Sequence, residues 1–144
     1  MGAYIEKKHF NVDSGTLASL TRSVNSETNN IVLNNAINEA EAIADNIMGY
    51  TLDLSTIVED DLDDTLLRQL KLFRSAVCDL AIWVLAKNHP SLAMTDKIIM
   101  LKEAARQTIV SIAGNGDFID EFQNEGSEAI NLLPISVIGG FNRK

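Results

Sequence analysis

The stretch LAIWVLA, residues 80–86, has no polar face. It closes a helix that hydrophobic spacing predicts over about residues 64–87, whose first half keeps Arg68, Lys71 and Ser75 on a polar side. A helix that is apolar all round must be covered on every side. In a chain of 144 residues, either this helix is at the centre of a bundle or a neighbouring subunit covers it. The residues expected to contact a neighbour are Leu80, Trp83 and Val84.

A second predicted helix carries small residues on its inward face, with Ala36, Ala40 and Ala44 one turn apart. Small side chains let another helix approach closely. We therefore expect this face to pack against the 64–87 helix of the same subunit.

Capping residues predict where the helices begin and end. Asn30 is expected to cap the alanine-rich helix, and Gly49 to end it in a left-handed conformation. Pro90 ends the 64–87 helix, Thr95 begins the next one, and Gly114 stops it. A shorter helix is expected from about residue 14.

A cluster of carboxylates precedes the 64–87 helix: Glu59, Asp60, Asp61, Asp63 and Asp64. The surrounding sequence VEDDLDDTLLRQ lacks the alternating ligands, central glycine and terminal glutamate of a calcium loop. A solvated loop is expected instead, whose last two acids lie at the positive end of the helix.

Residues that carry catalytic chemistry are few. The two histidines stand in no context that pairs them with a serine or with Cys78, and no G-x-S-x-G or H-E-x-x-H motif is present. Asp79 interrupts an apolar surface, and we expect its charge to be paired with Arg68, Lys71, Arg74 or another subunit. We therefore predict no enzymatic activity, no cofactor and no bound metal.

Charge and hydropathy argue against two further classes of protein, those that wrap nucleic acid and those that span a membrane. Twenty acidic against 12 basic residues give a net charge of −8, which disfavours wrapping nucleic acid. The longest apolar stretch, residues 76–86, is about half of a membrane span and carries Asp79. A soluble protein without a membrane partner is expected.

The expected fold is all-α, a compact bundle of about four helices with extended arms. Residues 1–13 form the N-terminal arm, 14–116 the helical domain and 117–144 the C-terminal arm. The C-terminal arm is apolar and β-branched, so we expect it to fold back on its own domain or to dock on a neighbour or partner. Its candidate contact residues are Ile130, Leu132, Leu133, Ile135, Val137, Ile138 and Phe141.

The order of these elements resembles the small head-to-tail connector (adaptor, or head-completion) proteins of tailed bacteriophages, most closely the Mu-type branch. The resemblance covers about residues 14–116, with local echoes in AINEAEAIADNIMGY, LLRQLKLFRSAVCDLAIWVL and ARQTIVSIAGNG. Such proteins often carry an Arg-Tyr pair after the alanine-rich helix and in the following helix. Here Tyr50 is followed by Thr51 and the later helix reads Ile82-Trp83, so no family contact is carried over to a particular side chain.

The resemblance implies a structural virion protein at the phage neck, assembled in the bacterial host cytoplasm. It implies a ring of about twelve copies that joins the portal protein to the next neck or tail-completion protein. DNA then passes through the ring without sequence-specific binding, and the acidic loop at residues 59–64 is the candidate channel-facing element. The alternative from a different class is a soluble acidic helical module that binds or regulates another protein.

Overall fold

The computed structural model describes residues 3–10, 26–89 and 95–124. These residues form four α-helices: α1 (Ser26–Met48), α2 (Asp64–Lys87), α3 (Asp96–Ala113) and α4 (Gly116–Phe122). Two short 3-10 turns, Lys7–His9 and Glu59–Asp61, precede α1 and α2. The predicted all-α bundle is confirmed. The helix expected from residue 14, and the C-terminal arm beyond residue 124, lie outside the described residues.

Helix α2 is the central helix and packs against both α1 and α3. Leu80 and Val84 are 0% and 1% exposed, whereas Ile82 and Trp83 are only partly buried. Of the two arrangements that would cover the LAIWVLA stretch, the bundle itself supplies most of the cover. Leu80 and Val84, predicted as contacts to a neighbouring subunit, contribute instead to the core of their own.

The alanine face of α1 is buried in the same core. Ala36, Ala40 and Ala44 are all at most 3% exposed, and α1 packs extensively on α2. Since a methyl group is the largest side chain on this strip, the two helix backbones come close together. This is the arrangement that the alanine spacing predicts.

Local capping chemistry sets most helix boundaries. The Asp63 carboxylate accepts from the amide of Leu66 at 2.8 Å, and Gly49 ends α1 with φ +80°. Thr95 caps α3, as predicted. Helix α1, however, begins at Ser26 and not at Asn30. The run SETNN contains no glycine or proline, so a polar composition does not prevent it from being helical.

A row of aromatic rings crosses the core from the N-terminal segment to α4. Ring centroids are 5.4 Å apart for Tyr4 and Phe73, 6.0 Å for Phe73 and Phe118, and 4.9 Å for Phe118 and Phe122. The last two rings are fully buried. The packed body thus extends through Phe122, past the predicted boundary at residue 116. The reason is that Asn115 caps a new helix, so GNG joins two helices.

The loop that follows α1 forms hydrogen bonds with the C-terminal end of α4 and the residues just after it. The backbone amide of Asp53 donates to the carbonyl of Phe122, and that of Asn124 donates to Thr51, both at 2.9 Å. The Tyr50 hydroxyl donates to the Ala113 carbonyl at 3.1 Å. These bonds hold α4 against the bundle. None of the helices in the described part of the chain is long and apolar enough to span a membrane.

Candidate functional site

The N-terminal strap, residues 3–10, is fastened to the bundle through its backbone. The Glu41 carboxylate on α1 accepts hydrogen bonds from three consecutive amides, those of Ala3 (3.0 Å), Tyr4 (2.7 Å) and Ile5 (3.1 Å). Glu41 is 8% exposed, so an otherwise costly buried carboxylate is compensated by these donors.

Tyr4 is the side chain that fixes the strap. Its hydroxyl donates to Asp45 at 2.5 Å and accepts from the amide of Leu52 at 3.0 Å, while its carbonyl accepts from Arg74 Nε at 3.1 Å. Burial, and then the Asp45 hydrogen bond, raises the pKa of the Tyr4 phenol. Burial likewise raises the pKa of Asp45, although the bond from Tyr4 acts in the opposite direction.

The strap covers most of the predicted N-terminal arm, residues 1–13, which the sequence predicts to be an extended segment outside the helical domain. Ile5 is fully buried and Phe10 is 8% exposed, so residues 3–10 belong to the subunit's own body. Sequence reasoning missed this because the strap is held largely by backbone amides, which leave no side-chain pattern.

The acidic loop is exposed as predicted. Glu59, Asp60, Asp61, Asp63 and Asp64 are all exposed, and Asp63 is occupied as the cap of α2. Beside the loop lies an open groove of about 430 Å³ whose carboxylates come from three segments: Asp53, Asp61, Asp120 and Glu121. Within the described residues, no three His, Cys, Asp or Glu side chains converge closely enough to hold a metal. That the loop faces a channel stays a prediction.

Helix α3 carries an outer face with three large apolar side chains, Ile99 (50% exposed), Met100 (68%) and Val110 (49%). Ile99 and Val110 are eleven positions apart, about three helical turns, so they lie on the same side. An ion pair between Glu103 and Arg106, 3.4 Å long, lies between them on the same helix. Met100 lies about 100° around the helix from Ile99, and Glu103 and Arg106 are on the Ile99–Val110 side. We call Ile99, Met100 and Val110 together the α3 outer face. The sequence analysis did not predict these exposed apolar side chains.

Trp83, one of the predicted subunit contacts, has the ammonium groups of two lysines placed over its ring. The ammonium groups of Lys87 and Lys102 lie 4.8 Å and 4.3 Å from the ring centroid. Lys87 also pairs with Glu39 on α1. The ring therefore contributes cation–π contacts within the subunit. The remaining predicted contacts, Ile130, Leu132, Leu133, Ile135, Val137, Ile138 and Phe141, lie outside the described residues.

Two groups on α2 were singled out for their chemistry. Burial raises the pKa of Asp79, and within the described residues it forms no ion pair with Arg68, Lys71 or Arg74. Burial, and then the Asp79 charge, raises the pKa of Cys78 to about 12. Since the thiolate is the nucleophilic form, this shift disfavours reaction of Cys78 at neutral pH.

Comparison of the chain with known protein families, with curated proteins and with solved structures gives no match. No relative therefore supplies a function.

Proposed function

We propose that this protein is a structural head-to-tail connector of a tailed bacteriophage. In this proposal about twelve copies form a closed ring beneath the portal, continue the DNA channel and dock the next neck protein. The resemblance over residues 14–116 supports it, and the order of α1, the acidic loop, α2 and α3 is compatible with that resemblance.

The observation that carries the proposal is the α3 outer face. Six large apolar side chains among the described residues are about half exposed or more, and three of them, Ile99, Met100 and Val110, are on α3. Covering apolar surface contributes about 25 cal/mol for each Å² removed from water. A cyclic ring repeats one contact between two different surfaces of adjacent subunits, and this face suits one side of such a contact.

The charge distribution supports a wall that DNA passes without adhering. The chain has a net charge of −8, and the exposed carboxylates of the acidic loop project into solvent. Like charges repel at short range, and few cations are available to replace the counterions of DNA. This property suits a channel wall past which DNA must move.

Peptide quantification in purified phage particles tests the proposal. The expected result is about twelve copies of this chain per particle, the ring size that the resemblance implies. Absence from purified particles, with the chain found in small soluble complexes, would favour the acidic binding module.

A substitution on the α3 outer face tests the carrying observation. Met100→Glu puts a charge in place of the most exposed apolar side chain of the α3 outer face, so incorporation of the variant into particles should fall by about tenfold or more. Asn38→Glu, which adds the same charge at an exposed position on α1, is the control and should incorporate normally. Equal incorporation of both variants would contradict a role for this face in assembly.

A further inference from the structure

A small cleft lies between the strap and α2, apart from the α3 outer face. It measures about 280 Å³ and is lined by His9, Glu59, Lys71, Arg74 and Ser75. Four of these five side chains carry groups that can donate hydrogen bonds, and two of them, Lys71 and Arg74, are cationic residues. In a chain of net charge −8, such a concentration of donors is a local exception.

The Arg74 guanidinium has one hydrogen bond and one longer ion-pair contact. Its Nε donates to the Tyr4 carbonyl at 3.1 Å, and its Nη1 lies 3.7 Å from Glu59 Oε2. The Arg74 side chain is 18% exposed and that of Glu59 is 53% exposed. The strap thus orients the guanidinium, and the Glu59 carboxylate approaches it loosely from the solvent side.

His9 presents one further donor. Its Nδ1 accepts from the Glu6 amide at 2.8 Å, which leaves the proton of the neutral ring on Nε2. Burial first, and then the charges of Arg74 and Lys8, lowers the pKa of His9, so the neutral ring is the form present at pH 7. Lys71 stands one turn before Arg74 on α2, is exposed, and forms no ion pair within the described residues.

We propose that this cationic cleft binds a carboxylate side chain presented by an acidic segment of a partner protein. Lys71 supplies the charge, Arg74 and Ser75 supply directed donors, and the incoming carboxylate displaces Glu59 from Arg74. The Glu59 carboxylate already lies in ion-pair range of Arg74, at 3.7 Å, too far for a hydrogen bond, so a carboxylate can approach these donors and a better placed one can replace it.

A nucleic acid is the less suitable occupant. Binding a phosphate backbone depends on several cations along a groove, whereas this cleft has two and is bordered by Glu59 and its acidic neighbours. A single carboxylate needs only one cation and a few donors. The site is a property of one chain, so it stands whether or not the chain forms a ring.

Amide-resolved NMR of the full chain tests this inference. The probe is a capped Gly-Glu-Gly peptide, and a capped Gly-Gln-Gly peptide is its neutral control. The glutamate peptide is expected to shift the Ser75 amide and the Arg74 Nε–H saturably, whereas the glutamine peptide shifts neither. Inorganic phosphate and a short DNA duplex are titrated separately, and tighter binding of either one at these residues would overturn the assignment to a carboxylate.

Two variants should change the affinity in opposite directions, and a third is their control. Lys71→Gln should weaken binding of the glutamate peptide by about fivefold, and Glu59→Gln should strengthen it by about threefold to fivefold. Asp60→Asn removes the same charge as Glu59→Gln from a side chain that does not line the cleft, and should change the affinity by less than about twofold. If Glu59→Gln and Asp60→Asn changed the affinity equally, the peptide would be responding only to the overall negative charge of the acidic loop, which would refute a defined site.

Discussion

Replacement of Glu41 by glutamine tests the most unusual contact of the fold. Glutamine has nearly the same shape as glutamate but has no charge, and its amide presents only one acceptor oxygen. In the native chain, one Glu41 oxygen accepts from the Tyr4 and Ile5 amides and the other accepts from Ala3. The variant therefore keeps the packing and loses the charge and one of the two acceptor oxygens.

The magnitude follows from these three bonds. A hydrogen bond to a charged group contributes about 1.5–3 kcal/mol to stability, and one between neutral groups about 0.5–1.5 kcal/mol. If the glutamine oxygen faces Tyr4 and Ile5, each of these two bonds therefore becomes weaker by about 1 kcal/mol. The Ala3 amide then meets an NH2 group and is left without its acceptor, which costs about 1 kcal/mol more. We expect a loss of about 2–4 kcal/mol in the free energy of unfolding, limited by the free energy at which the strap detaches.

Urea unfolding followed by circular dichroism measures this loss, with Glu39→Gln as the matched control. Glu39 lies on the same helix, and its side chain is 41% exposed beside Lys87, so its neutralisation should cost less than about 1 kcal/mol. Hydrogen exchange at the Tyr4 and Ile5 amides should also become faster in Glu41→Gln. Two variants within about 0.5 kcal/mol of each other would refute the view that Glu41 anchors the strap.

Three further predictions concern the helices. Ala40→Leu should lower the free energy of unfolding by about 1–3 kcal/mol, because the larger side chain overpacks the core. Ala42→Leu, on the exposed side of the same helix, is the control and should not lower it. Equal thermal melting temperatures for the two variants would contradict close packing of α1 on α2. Burial raises the pKa of Asp79, so the folded chain binds a proton more readily than the unfolded one, and the stability that Asp79 contributes is lost as pH rises through its raised pKa. Asp79→Asn should therefore be more stable than the native chain at pH 7 and lose this advantage as the pH falls into the ordinary aspartate range; urea midpoints that differ equally at both pH values would contradict this. Cys78 should react with a thiol reagent at pH 7 only as the chain unfolds, and labelling of the folded chain at the rate of a free thiol would contradict its burial.

Local sequence rules predicted the parts of the fold that depend on neighbouring residues. The place of Asp63 and Asp64 at the start of α2, the left-handed turn at Gly49 and the alanine face of α1 each follow from patterns over a few positions. The central place of α2 also followed as one of two alternatives, because a helix without a polar face has few other solutions.

The parts that sequence did not predict depend on contacts between distant residues. Glu41 reads as a polar residue on an amphipathic helix, and only the folded chain brings the amides of residues 3–5, some 36 to 38 positions away, to its carboxylate. Phe118 appears in an acidic stretch, and only its position against Phe73 makes it core. The cationic cleft likewise joins His9 of the strap to Lys71 and Arg74 of α2.

The connector proposal makes one directly visible claim, namely that the chain is located at the neck of a phage particle. Immunogold electron microscopy of a lysate from the source, with antibody raised against the purified chain, measures this location. The proposal predicts gold label concentrated between capsid and tail. Label found only in the soluble fraction, with none on particles, would contradict it.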